Sequence, residues 1–128
     1  MKKVEVVAAV IKNKNKILAV QRGYGEFRGR WEFPGGKIEK DEKREDALKR
    51  EIKEELDIEI NVLDFLVTVN YDYPKFHLIM HTYLAEISSG EINLLEHLDM
   101  KWLEKEKIGN VDWLEADLDI VDKLKSRI

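Results

Sequence analysis

The sequence predicts an α+β fold, a mixed β-sheet held between helices. Three observations carry that expectation. Most apolar segments are short, rich in β-branched residues and bounded by turn-forming residues, as strands are. A helical period appears in only two places, once mid-chain and once at the end. No linker-like stretch divides the 128 residues, so one domain spanning 1–128 is expected.

Val4 to Lys12 (VEVVAAVIK) reads as the first strand, and Ile17 to Arg22 (ILAVQR) as its partner across the turn NKNK. A glycine-rich loop, GYGEFRGR, follows and leads into a short apolar patch, WEFPGG. From about Asp41 to Leu56 the period becomes helical: Leu48, Ile52 and Leu56 form a stripe with Ala47 beside it. Two longer strand-like runs come next, IEINVLDFLVTVNY and FHLIMHTYLAEI, joined through DYPK. A short strand near Met100–Leu103 and a helix from about Glu115 to Lys125 complete the chain.

Composition narrows the function. A net charge of −4 argues against charge-driven binding of a nucleic-acid polymer or a membrane surface. It leaves room for a small anionic ligand held by a cation and a few arginines. With no cysteine there is no disulfide and no thiolate metal site. No apolar run approaches the ~18 residues of a membrane span. The opening MKKVEVVAAVIK is too short for a secretory signal, so a cytoplasmic protein is expected. His77 and His81 share one strand face with no third ligand in sight, so zinc is not expected, and the tryptophans read as packing residues.

The mid-chain helix carries the chemistry. Glu51, Glu54 and Glu55 lie at i, i+3 and i+4, where like charges cost roughly 0.2–0.5 kcal/mol per pair. With Leu48 at zero on a helical wheel, Ile52 falls near +40°, Glu55 at about −20° and Glu51 at about −60°. Glu55 therefore leans toward the buried stripe and Glu51 borders it. A carboxylate so placed must be paired, neutralised or bound to a metal. Clustered oxygen ligands suit Mg²⁺ or Mn²⁺, which keep water and substrate phosphate in their remaining positions.

Gly36, Glu42, Arg50, Glu51, Ile52, Glu54, Glu55 and Ile58 resemble the Nudix box, G-x5-E-x7-R-E-U-x-E-E-x-G-U with U aliphatic, at eight of its nine specified positions. The departure is Asp57, where the family has the glycine that suits a left-handed helix end. WEFPGGKIE, AVQR, YDYPKFHLIMHTYLAE and EHLDMKWL extend the similarity over most of the chain, toward the MutT-like and CTP pyrophosphohydrolase-like branch. The resemblance implies a Nudix α/β/α sandwich and Mg²⁺-dependent attack of water on a phosphorus, Mn²⁺ being an alternative cation. A nucleoside triphosphate would give the monophosphate and pyrophosphate, with 8-oxo-dGTP or cytidine triphosphates as substrates. Hydrolysis of ADP-ribose or dinucleoside polyphosphates is the alternative, and an inactive nucleotide-binding module a further one. The state is a monomer or a homodimer.

Carried over residue by residue, Glu51, Glu54, Glu55 and the Gly35 carbonyl match metal ligands, and Arg50 matches the residue that holds the glutamates. An ordinary helical pair of Arg50 with Asp46 is compatible with that. Glu96, in LLEHLD, matches a loop carboxylate serving as base or further ligand; its plainer reading is a loop glutamate. Arg22 is expected on a phosphate, with Glu32, Phe33, Pro34 and Gly35 forming the substrate-facing stretch; Phe33 either stacks on a base or packs in the core. Arg28 and Arg30 read as surface residues. Asp117 aligns where MutT-like enzymes read the base edge, with an amide in the MutT prototype. An ionised Asp only accepts hydrogen bonds, so bases offering N–H groups are expected to be preferred; a protonated Asp could do more, but burial would first have to raise its pKa. The plain alternative is that Asp117 caps the last helix.

Overall fold

The run Val7–Ile11 contains no polar side chain, so a strand through it must be covered on both faces. The computed structural model, which describes residues 2–127, shows how. The described elements are β1 (Lys2–Asn13), β2 (Lys16–Gln21), β3 (Trp31–Glu32), β4 (Gly35–Lys37), α1 (Arg44–Leu56), β5 (Glu59–Tyr73), β6 (Phe76–Ser89), β7 (Asp99–Glu104) and α2 (Glu115–Arg127). Val7, Ala9 and Ile11 of β1 pack with Ala47, Leu48, Ile52 and Leu56 of α1. Ala8 and Val10, on the opposite face, share a core with Ala116, Ile120, Val121 and Leu124 of α2. The sheet is thus a filling between two helices, as expected.

The strand order is β3-β2-β1-β6-β5, with β4 also on β1 and β7 also on β2. β1 and β6 run parallel from Lys2↔Phe76 to Ile11↔Ala85, while the other pairings are antiparallel, so the sheet is mixed. β1 changes antiparallel partner along its length. Lys12 and Asn13 pair with β2, whereas Val6–Ala8 pair with β4. The chain between those two partners forms the loop that borders the site.

Two local features depart from the sequence reading. WEFPGG, expected only as an apolar patch, supplies both β3 and β4. Gly35 makes β4 possible, because a Cβ there would overlap the Val7 carbonyl. α1 starts at Arg44 rather than near Asp41, since Asp41 takes φ 63° and Lys43 stays extended with no side-chain cap. At the other end Asp57 does adopt the left-handed conformation (φ 59°, ψ 36°), and its N–H donates to Lys53 O. The turn forms without the glycine. Among the described residues no helix is long and apolar enough to cross a membrane.

Candidate active site

The wheel position of Glu55 becomes burial: the residue is 7% exposed. Burial first, then a hydrogen bond that its protonated carboxyl donates to Glu51 and the charges of Glu51, Glu32 and Glu96, push its pKa far above the usual carboxylate range. Glu51 lies against Gly36, where a Cβ would overlap its carboxylate. A side chain at position 36 would therefore displace the Glu51 carboxylate. Arg50 arranges the acids around it: Nε and Nη2 donate to Glu42 at 2.9 and 3.0 Å, and Nη1 donates to Glu51 at 2.9 Å and Glu54 at 3.4 Å. A further bond reaches the Lys37 carbonyl at 3.0 Å. Arg50 makes no ion pair with Asp46, because Glu42 and Glu51 take its donors instead.

Arg22, just past β2, faces this cluster but is not free. Its Nε and Nη2 donate to the two oxygens of Glu32 at 3.2 and 2.7 Å. Burial opposes its charge, yet Glu32 outweighs that and raises its pKa. Glu32 is desolvated too, and the nearby His97 together with the hydrogen bonds from Arg22 more than offset this and lower its pKa. Glu96 is exposed beside them, on the segment between β6 and β7.

A third group of residues sits at the start of α2. Trp31 N–H donates to Asp112 O and Leu114 N–H to Trp31 O, at 2.9 and 2.8 Å, tying β3 to the entry of the helix. Arg30 is half-buried rather than a surface residue. It bonds the Asp112 and Trp113 carbonyls and Glu115, clamping the same entry. Tyr73 Oη accepts from Ala116 N–H at 3.1 Å. These contacts hold Asp117 inward at 4% exposure, with Phe33 N–H donating to its carboxyl and Oδ1 without a hydrogen-bond partner among the described residues. Burial, with the Glu32 charge second, raises its pKa well above the ordinary 3.8. One expectation is corrected by this: Asp117 is the third residue of α2, not its cap. The raised pKa favours the protonated form, in which the carboxyl would donate as well as accept.

A family model described as the NUDIX domain matches residues 1–124. This chain belongs to the Nudix family. It is 33% identical over 123 residues to the CTP pyrophosphohydrolase of Escherichia coli, covering 95% of this chain and 91% of that one. It is 40% identical over 93 residues to an 8-oxo-dGTP diphosphatase of Proteus vulgaris, covering 71% of this chain and 83% of that one. The crystal structure of a MutT NUDIX hydrolase from Burkholderia pseudomallei superposes with a TM-score of 0.85 at 26% identity, covering 97% of this chain and 99% of that one. The chain is therefore a Nudix hydrolase with the Nudix α/β/α sandwich.

Most of the residues anticipated for this Nudix site converge. Arg22, Glu32, Gly35, Glu51, Glu55 and Glu96 line one cleft of about 650 Å³. Phe33 and Asp117 line a smaller cavity of about 100 Å³ that shares Arg22, Glu32 and Gly35 with the cleft. One face of Phe33 is taken by Trp113, with centroids 4.5 Å apart. Two residues stand apart. Glu54 lies further round the helix, more than half exposed and bonded to Arg50, and Pro34 is buried with its carbonyl on Ala9 N–H at 2.8 Å. His97 and Tyr73 were missed. One hid beside Glu96 as a lone loop histidine, and the other looked like any strand aromatic.

Nudix hydrolases generally use a divalent metal, and the donors here suit one in kind. Glu55 is buried against the Glu51 carboxylate, and crowding of that kind raises its pKa and favours a dication there. Among the described residues no three acidic or histidine side chains are drawn together tightly enough to enclose an ion. Glu54 is the anticipated ligand furthest from that arrangement.

Proposed function

We propose that this Nudix hydrolase cleaves nucleoside triphosphates of the cytidine or oxidised-guanine kind to the monophosphate and pyrophosphate, with Mg²⁺ as its cation and Mn²⁺ able to replace it. One observation carries the reading: the hydrogen-bonded pair Glu51–Glu55 lies in a cleft that continues into an aromatic cavity ending at Asp117. An acidic cation site next to a flat polar-ended cavity fits a phosphate chain attached to a base. The names of the E. coli and Proteus relatives support the same substrate class.

Glu51, Glu55 and the Gly35 carbonyl would hold the cation, with Glu54 reached through the Arg50 network. When bound, it supplies charge neutralisation of the phosphates and a more acidic water. Arg50 keeps Glu51 oriented. Arg22, with donors left beyond the two that Glu32 uses, binds a phosphate oxygen. Glu96, exposed at the mouth, takes the proton of the attacking water. Phe33, on the wall of the smaller cavity, meets the base, and Glu32, beside it, and Asp117 meet the polar edge. Action on such substrates would fit an enzyme of the cytoplasm.

The test is product analysis with CTP, dCTP, GTP and 8-oxo-dGTP in Mg²⁺. Monophosphate plus pyrophosphate from at least one of them, abolished by EDTA, is the expected result. Orthophosphate as the primary product, or turnover in excess EDTA, overturns it.

A further inference from the structure

Glu32 on β3 and Glu55 on α1 belong to different arms of the cleft. The first fixes Arg22 and the second shares a hydrogen bond with Glu51. Among the described residues His97 is the side chain whose ion-pair contacts reach both: its Nε2 lies 3.7 Å from Glu32 Oε2 and 3.6 Å from Glu55 Oε1. The ring is enclosed, with the side chain 4% exposed, and Nδ1 has no hydrogen-bond partner among the described residues. Its polar contact is therefore directed at the two carboxylates. Burying a half-satisfied imidazole is costly, and a leucine would pack the space without that cost. Packing alone does not account for the residue.

The backbone near His97 points the same way. Asn93 N–H donates to Leu56 O at 2.9 Å, Leu95 N–H to Glu55 O at 3.1 Å, and Leu98 N–H to Gln21 O at 3.0 Å. The segment is thereby laced to the end of α1 on one side and to β2 on the other. The Glu96 carbonyl sits so near Gly23 that no Cβ fits there. Glu96, Leu95 and Leu98 are exposed, while the His97 side chain turns inward beneath them.

We infer that His97 is a positioning residue: its buried imidazole holds Glu32 and Glu55 in register and pins the segment carrying Glu96 over the carboxylates. This rests on the reading of the cleft as the hydrolytic site. His97 acts through those carboxylates and does not touch the phosphate chain.

The experiment compares His97→Leu, which keeps bulk without a donor, with His97→Gln, whose amide N–H reaches toward the place of Nε2. Mn²⁺ binding to nucleotide-free protein is titrated by the electron paramagnetic resonance of free Mn²⁺, and kcat and KM are measured separately. His97→Leu should weaken Mn²⁺ binding by about 10–100-fold and lower kcat more than it raises KM. His97→Gln should recover most of both. Wild-type Mn²⁺ affinity in His97→Leu overturns the inference, as does a glutamine variant no better than the leucine one. Should His97→Leu fail to fold, His97→Asn decides, because its amide is too short to reach the carboxylates; undiminished Mn²⁺ affinity there overturns the inference too. Wild-type protein inert toward every nucleotide would sink the functional reading while leaving the Mn²⁺ comparison intact, so the two fail separately.

Discussion

Glu55 and Asp117 are both buried carboxyls that hold their protons far more tightly than in water, and they differ in how they come to do so. Glu55 is crowded, since three other carboxylates add to its burial. At Asp117 burial dominates, Glu32 and Glu115 add to it, and Arg22 and Phe33 N–H work in the opposite direction. A raised carboxyl pKa therefore does not name a role by itself. Crowded negative charge is relieved by a cation, whereas a buried acid among Phe33, Tyr73, Leu114 and Ala116 is relieved by staying neutral. That contrast is why we assign the first to the phosphates and the second to the base.

The strongest way to break the comparison is Glu55→Gln. Losing a cation ligand should lower kcat on the order of a thousandfold in initial-rate assays with Mg²⁺. The same change should raise the cation-free melting temperature, because a crowded carboxyl is gone. A fall in both would mean that Glu55 only packs. Next in size is Arg50→Lys, which cannot span Glu42 and Glu51 together and should cost about 10–100-fold in kcat. Equal activity of the lysine variant would show that charge alone suffices there.

Asp117 supplies the opposite arm. Asp117→Leu should reduce kcat/KM by roughly 1–3 kcal/mol for the preferred base, through KM more than kcat. Asp117→Asn, which also both donates and accepts, should keep the ranking of bases near neutral pH; a reordered ranking would show that the native group is ionised. The pH dependence of stability sharpens this further. Below the ordinary value of 3.8 the acid is protonated whether folded or not, and it carries no penalty. As pH rises, the unfolded chain ionises first, so wild type loses about 1.4 kcal/mol per pH unit until the folded pKa is reached. The melting-temperature gap between Asp117→Asn and wild type should therefore open upward from about pH 4. A gap that does not change with pH would contradict a neutral Asp117.

The smallest effect belongs to a site outside both arms. Asp57 holds a left-handed conformation at φ 59°, and its ion pair to Lys53 is long, 3.7 Å, and exposed. Asp57→Gly should stabilise by no more than about 1 kcal/mol and leave kcat unchanged.

What was legible in the sequence follows the range of the forces involved. The α1 carboxylates were readable because motif spacing and helical period are local, and the wheel correctly pointed Glu55 inward. The strands were readable from β-branched runs. β3 and β4 were not, because two- and three-residue strands exist only through their partners. The state of Asp117 was hidden for the same reason: its proton depends on β3, β5 and α2 meeting around it. His97 and the Arg22–Glu32 pair likewise join residues far apart in the chain, and no pattern within one segment reveals them.

The parallel register of β1 with β6 has a kinetic consequence. Lys2 waits for Phe76 and Ile11 for Ala85, so the central strand can settle only after two-thirds of the chain exists. β4, with the Gly35 and Gly36 that border the acidic cleft, is paired to that same strand. Loop closure of this length is slow compared with helix or hairpin formation. During synthesis on a ribosome, the emerging α1 would therefore carry its full motif for some time without a cleft to place it in. Cation affinity should be acquired late, in one step with the β1–β6 pairing, and nascent chains released before residue 85 should have none.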